Sequence, residues 1–233
     1  MPPPFKGKEL TLDQADDHTI LKVLVGSQAH GLASPTSDAD SRSVFVIPTA
    51  EMFRLGFKYE PARWSKGQED EAAWEIGRFL FLAVQCHPQI LEAFLAPVLF
   101  ADPWGVELRA LFPAVWGPQQ AYDSFIRYSE NQRKKFLDKK DGRPEKYAAA
   151  CVRVLHNLSE LLETGTFTVR IAGTSAGETI ARIKGGGVRT GEIIDLAEGW
   201  TQEAARRLAR CRHRPDLKKV DEFLIRLRTA FLR

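Results

Sequence analysis

Two apolar stretches, Leu21–Val25 and Val44–Ile47, frame a polar segment that opens on Gly26-Ser27 and closes on Asp38-Ala39-Asp40. That order predicts a strand, a tight turn, a loop and a second strand beginning just after Asp40. From Glu51 to Gln68 proline, glycine and aromatic residues are mixed, which predicts an irregular connection or a poorly paired strand. The segment from Gln68 to Glu75 is acidic and alanine-rich, without the alternation of a clear strand. Ile76, Phe79, Leu80, Ala83 and Val84 then recur at helical spacing, so a helix is expected over about 72–96. Proline has no amide hydrogen to donate, so His87-Pro88 interrupts or restarts that helix, and a second short one follows from Gln89.

Pro97, Pro103, Gly105, Pro113, Gly117 and Pro118 punctuate a connector, within which a short helix is expected from Trp104 to Leu111. Beyond it the pattern becomes long and helical. Phe125, Tyr128 and Phe136 mark a helix from Ala121 to Leu137, and Ala150, Val154, Leu158 and Leu161 mark another from Lys146 to Leu162. Asp141-Gly142-Arg143-Pro144 between them is a turn that ends on a helix-starting proline. Gly185-Gly186-Gly187 is a break before two final helices over 191–212 and 216–232. The expected organisation is a mixed α/β half, residues 1–117, and an all-α half, residues 118–233. The first half opens on a loose lead-in, residues 1–18, with a short helix near Leu10 to Asp17. No internal repeat or low-complexity tract is visible.

Composition changes this picture little. The chain has 233 residues, 44% of them hydrophobic and 27% charged, which describes an ordinary globular protein able to bury a core. No apolar run approaches the length needed to span a bilayer. Cys86, Cys151 and Cys211 are odd in number and widely spaced, so reduced thiols in a cytoplasmic protein are expected. The opening Met1-Pro2-Pro3-Pro4-Phe5-Lys6 lacks the order of a signal peptide, in keeping with a cytoplasmic location. A net charge of +3 argues nothing by itself, but its distribution is uneven. Basic residues crowd between Arg206 and Arg233, and a second run holds Arg133-Lys134-Lys135 with Lys139-Lys140. These are either solvated helix faces with acidic partners or a surface for RNA or DNA.

The candidate chemistry lies in the polar segment between the two strands. Asp38 and Asp40 are two apart, so in an extended segment both carboxylates share a face. Held together they repel unless a cation lies between them, and their oxygens suit a hard divalent ion, Mg²⁺ above all. Gly26-Ser27 is a turn of phosphate size, and a nucleoside triphosphate would complete the metal shell. Arg42 lies on the same face as Asp40, where it neutralises a triphosphate or pairs with the carboxylates when metal is absent. His30 sits inside the turn and either orders the loop or touches phosphate. His156 and Glu160, at i and i+4, form half a metal site without a third ligand.

Gly26-Ser27-x-Ala29-x-Gly31-Leu32 followed by Ser37-Asp38-x-Asp40-x-Arg42 and a valine pair resembles the polymerase-β-like nucleotidyltransferase superfamily, and within it the predicted nucleotidyltransferases linked to RNA repair. Trp74-Glu75-Ile76-Gly77-Arg78-Phe79-Leu80, His87-Pro88 and Ile90-Leu91-Glu92 are similar to a second block of that family, with His87 in place of an asparagine. Lys146-Tyr147-Ala148 and Arg153-Val154-Leu155 give a weaker third echo.

The resemblance implies an α+β fold: a polymerase-β-like core, in which a small mixed sheet is flanked by helices, followed by an all-α C-terminal half. It implies Mg²⁺- or Mn²⁺-dependent transfer of a nucleoside monophosphate from an NTP such as ATP to an acceptor hydroxyl, with an RNA 3′ end as the leading acceptor. Gly26, Ser27 and Arg42 would then bind nucleotide. Asp38, Asp40 and Asp70 would be the catalytic, metal-holding carboxylates, with Glu71 and Glu75 as neighbours able to replace Asp70. Basic helices are a possible RNA contact, and no membrane partner is expected. Two alternatives use the same site: nucleotidylylation of a protein hydroxyl, or a catalytically impaired nucleotide-binding module.

Overall fold

The computed structural model describes residues 18–34, 37–66 and 70–232, with the side chains of residues 64–66 and 70 outside that description. Residues 1–17 of the expected lead-in, with its short helix near Leu10 to Asp17, lie outside the described residues. The first apolar stretch forms strand β1 (Thr19–Val25), and β2 (Asp40–Phe45) runs antiparallel beside it, with Val25 opposite Asp40. Between them Gly26–Ala29 makes one helical turn, α1.

The segment after β2 contributes a short helix, α2 (Thr49–Met52), and strand β3 (Ala62–Lys66), a strand as in the second expectation but regularly paired along all five residues rather than poorly. The acidic, alanine-rich segment is strand β4 (Asp70–Glu75), so the expected helix over 72–96 begins four residues too early. Its place explains the pattern. β4 pairs in parallel with β2 and antiparallel with β3, so neighbours on both sides supply what its alanines lack in strand preference. Helix α3 (Ile76–Val84) starts where the Glu75 carboxylate accepts the Gly77 amide, 2.7 Å away. Cys86, at φ 55°, then turns the chain, and Pro88 opens α4 (Pro88–Leu95). Strand β5 (Val98–Ala101), which sequence pattern alone did not suggest, closes the sheet in the order β3-β4-β2-β1-β5.

The connector holds α5 (Pro103–Ala110) and α6 (Phe112–Val115). The helical segment follows: α7 (Pro118–Leu137), α8 (Pro144–Thr164), α9 (Ser175–Lys184), α10 (Thr190–Arg210) and α11 (Leu217–Ala230). This is the α+β architecture expected, a mixed sheet flanked by helices and followed by helices alone.

One face of the sheet, with Leu21, Val23, Val44 and Trp74, packs on Phe79, Leu80, Ile90, Leu91 and Phe94. The same buried cluster continues through Phe125, Val154 and Leu158 to Val220, Phe223 and Leu227. The chain returns to the sheet region at several points. His213 stacks on buried Trp116 with ring centroids 3.8 Å apart, the Asp216 amide donates to the Ala114 carbonyl, and Arg228 pairs with Glu75 at 2.6 Å.

Candidate active site

The turn after β1 is dictated by one residue. Gly26 has φ +70°, in the left-handed region that side chains disfavour. A Cβ built there would stand 2.5 Å from Asp40 Oδ2. Asp40, the first residue of β2 and directly across from Val25, therefore lies against the bare face of the turn. Asp38 is exposed two residues earlier, and Ser27 is half-buried in the turn itself. Ser34 and Ser37 brace the intervening loop: the Ser34 amide donates to Ser37 Oγ at 2.8 Å, and the two hydroxyls are 3.0 Å apart. Arg42 donates from Nη1 to the Ser41 carbonyl at 2.8 Å.

The three carboxylates considered as a third ligand part company. Glu71 lies beside Ser41 in the ladder and accepts from Ser41 Oγ at 3.0 Å and from Lys22 Nζ at 2.6 Å. Ser41 and Asp40 are consecutive in a strand, so Glu71 occupies the sheet face opposite Asp40. Its bond to Lys22 keeps its carboxyl below the ordinary value, against the opposing effect of burial. Glu75 is fully buried and committed to Gly77, to the Tyr59 hydroxyl at 2.9 Å and to Arg228. Burial and this carboxylate push the Tyr59 phenol up to about 12. The Asp70 side chain lies outside the described residues. Its backbone opens β4, one step before the Ser41–Glu71 pair, which is the register position level with Asp40. Among the described residues, no group of three His, Cys, Asp or Glu side chains is placed to hold a metal ion.

A buried triad under the turn was not assembled from the sequence. His30 Nε2 lies 3.0 Å from Glu92 Oε1, and Arg153 Nη1 lies 2.6 Å from Glu92 Oε2. Burial alone would raise Glu92, but the Arg153 charge and the His30 bond outweigh it and hold the carboxyl at about 2. Burial and the Arg153 charge lower His30, so the neutral ring donates its Nε2 hydrogen to the carboxylate. His30 thus orders the loop. The same loop is pinned from the helical segment, because the Ile171 and Ala172 amides both donate to the His30 carbonyl at 3.2 Å and Lys184 Nζ donates to the Leu32 carbonyl at 2.8 Å. A single carboxylate among Ile90, Leu91, Ala93 and Phe94 was the available signal for Glu92.

The remaining candidates resolve into structural roles. His87 stands at the N-cap of α4, 6.2 Å from the Tyr128 ring, and Arg78 lies over the Phe81 ring at 5.3 Å. His156 and Glu160 do not pair as an exposed couple: His156 faces the Trp200 ring, and Glu160 accepts from the amide and hydroxyl of Thr168. No described helix is long and apolar enough to cross a membrane.

Residues 9–183 match the model of the RNA repair pathway DNA polymerase beta family. No curated protein matches the chain.

Proposed function

The chain belongs to the RNA repair pathway DNA polymerase beta family, and from that premise we propose that it transfers a nucleoside monophosphate from an NTP to an acceptor hydroxyl, an RNA 3′ end, with release of pyrophosphate. The observation that carries this reading is the packing of Asp40 on the bare, left-handed Gly26 turn, with Asp38 exposed two residues before it in the chain. A turn without a side chain lets triphosphate oxygens approach the backbone amides of Gly26 and Ser27, and the Ser27 hydroxyl adds a donor.

The donor set fits a hard divalent cation, since Mg²⁺ is commonly held by one or two carboxylates completed by substrate phosphates. Asp38, Asp40 and Asp70 are the residues assigned to it. A cation held by these residues would supply charge neutralisation of the phosphates and acidification of the attacking hydroxyl. The residues of the chain have the other tasks. Gly26 and Ser27 hold the β and γ phosphates, Arg42 adds positive charge nearby, and Asp70 accepts the hydroxyl proton. The acceptor oxygen bonds to the α-phosphorus as the bond to the β-phosphate oxygen breaks, and pyrophosphate leaves.

The experiment is incubation of the protein with each α-³²P-labelled NTP, Mg²⁺ or Mn²⁺, total RNA and cell protein, beside an Asp38→Ala/Asp40→Ala variant. Label on RNA that the variant fails to deposit supports the reading, and label on protein moves the acceptor to a polypeptide hydroxyl. Absence of both transfer and nucleotide binding refutes it. A second reading, a nucleotide-binding module without transfer activity, draws on the commitment of Glu71 and Glu75 to other partners. Metal-dependent binding without transfer would favour it.

A further inference from the structure

A cavity of about 470 Å³ runs along α7, lined by Tyr128, Gln132, the acid Asp138 and the lysines Lys134, Lys135 and Lys140. One end adjoins the candidate active site, because Tyr128 faces His87 and lies within electrostatic reach of Arg42, Arg153 and Glu92. From Tyr128 to Asp138 the helix advances about 15 Å, enough to follow several phosphates of an extended strand.

Both basic runs of the chain are partly neutralised, and in the central run Arg133 pairs with Glu198 at 3.5 Å. In the C-terminal run Arg206 and Arg207 pair with Glu203, Arg207 also with Glu163, Arg226 with Glu107, and Arg228 with Glu75. Among the described residues, Lys134, Lys135 and Lys140 have no carboxylate within 4.0 Å. The nearby acid Asp141 is occupied by the Tyr147 hydroxyl at 2.7 Å, and Lys135 rests its ammonium over the Tyr147 ring. Three ammonium groups beside a polar cavity, with Asp138 as its lining acid, favour a polyanion over an acidic point ligand.

We propose that this cavity is the acceptor-strand site, in which Lys134, Lys135 and Lys140 hold the phosphodiester backbone of a single-stranded nucleic acid and lead its end past Tyr128 toward Asp40. The proposal rests on the nucleotidyltransferase reading for its direction, but the binding it describes is measurable without transfer. The cavity's lysines would contact backbone rather than base edges, so strand length and salt govern affinity more than sequence does.

The test is fluorescence anisotropy with a labelled 12-nucleotide single-stranded RNA and the DNA of the same sequence, titrated at several salt concentrations. Wild type is compared with Lys134→Ala/Lys135→Ala/Lys140→Ala and, as control, Arg210→Ala/Arg212→Ala/Lys219→Ala. The cavity variant is expected to bind at least about tenfold more weakly. Its plot of log affinity against log salt should be shallower by about two, from roughly 0.7 per lost contact on a single strand. The control should stay within about twofold of wild type, and Mg²⁺-dependent nucleotide binding should be equal in all three. Equal weakening on RNA and DNA supports a pure backbone contact, and weakening on RNA alone adds a ribose hydroxyl contact to it. Wild-type affinity in the cavity variant, an equal loss in the control, or no strand binding by wild type overturns the proposal. Strand binding that depends on the lysines, without any nucleotidyl transfer, overturns the transfer reading and leaves this one standing. Transfer to an acceptor other than a nucleic acid, without strand binding, does the reverse.

Discussion

The Asp40 carboxylate fills the space that a side chain on residue 26 would need, its Oδ2 lying 2.5 Å from where a Gly26 Cβ would be. A side chain on residue 26 therefore cannot be added without moving the Asp40 carboxylate. Gly26→Ala is expected to displace the carboxylate and to strain a backbone at φ +70°, a cost of about 1–2 kcal/mol. Nucleotidyl transfer should fall far more than stability does, at least about a hundredfold against a melting temperature lowered by a few degrees. Equal activity in the alanine variant would separate the turn from the chemistry.

The sheet register makes the third carboxylate a contest with opposite expectations for neighbours. Asp70→Asn should lower transfer about a hundredfold or more, as should Asp38→Asn. Glu71→Gln, on the other face with Lys22 and Ser41, should leave it within about threefold. Single-turnover rates at saturating Mg²⁺ decide between them. A dominant loss in the Glu71 variant would reverse the assignment.

The Glu92 triad sets an acid limit to stability. Glu92 is held at about 2 against an ordinary value of 4.5, so the stability it contributes is complete above 4.5 and is lost as the pH falls toward 2. That contribution is on the order of 3 kcal/mol. His30 is lowered from 6.5, so it also favours the fold above that pH and begins to oppose it below. Urea unfolding between pH 7 and pH 3 should show both losses in the same direction. Arg153→Met leaves the buried Glu92 carboxylate with His30 but without its cation, at a cost of about 3–5 kcal/mol at neutral pH. A flat pH profile would remove the triad from the stability account.

Close backbone approach gives a sharper test of the fold. A Cβ on Gly105 would meet the Ile20 carbonyl oxygen at 1.9 Å, and no side chain can yield to relieve it. Gly105→Ala should therefore destabilise more than Phe223→Ala, itself expected to cost about 3–5 kcal/mol as a buried aromatic. Denaturant midpoints of the two variants give the order.

What could be read from the chain divides by range. The Gly26 turn and the two strands around it are local, and their apolar stretches and turn residues announce them. The long helices α7 and α8 carry enough turns for periodicity to speak. Strand β4 does not, because Asp70-Glu71-Ala72-Ala73 has helical composition and becomes a strand only through β2 and β3 on either side. The four residues of β5 are likewise a strand because β1 needs an edge partner. The site shows the same division. Asp38 and Asp40 stand out by spacing, whereas His30, Glu92 and Arg153 come from a loop and two helices, each about sixty residues from the next. Glu71 was hidden differently: only register reveals which face of the sheet it takes.

The return of α11 to the sheet has a consequence for how the protein is made. Leu21 and Leu227 belong to one buried cluster, yet roughly two hundred residues separate them. At a translation rate of about 5–20 residues per second, β1 leaves the ribosome some 10–40 s before its last core partners exist. Helices α3 and α4 cover the sheet face much sooner, and the part of the core that α11 completes stays open for that interval. The loop after the Gly26 turn, though encoded early, gains the contacts that pin it only once Ile171, Ala172 and Lys184 have been made.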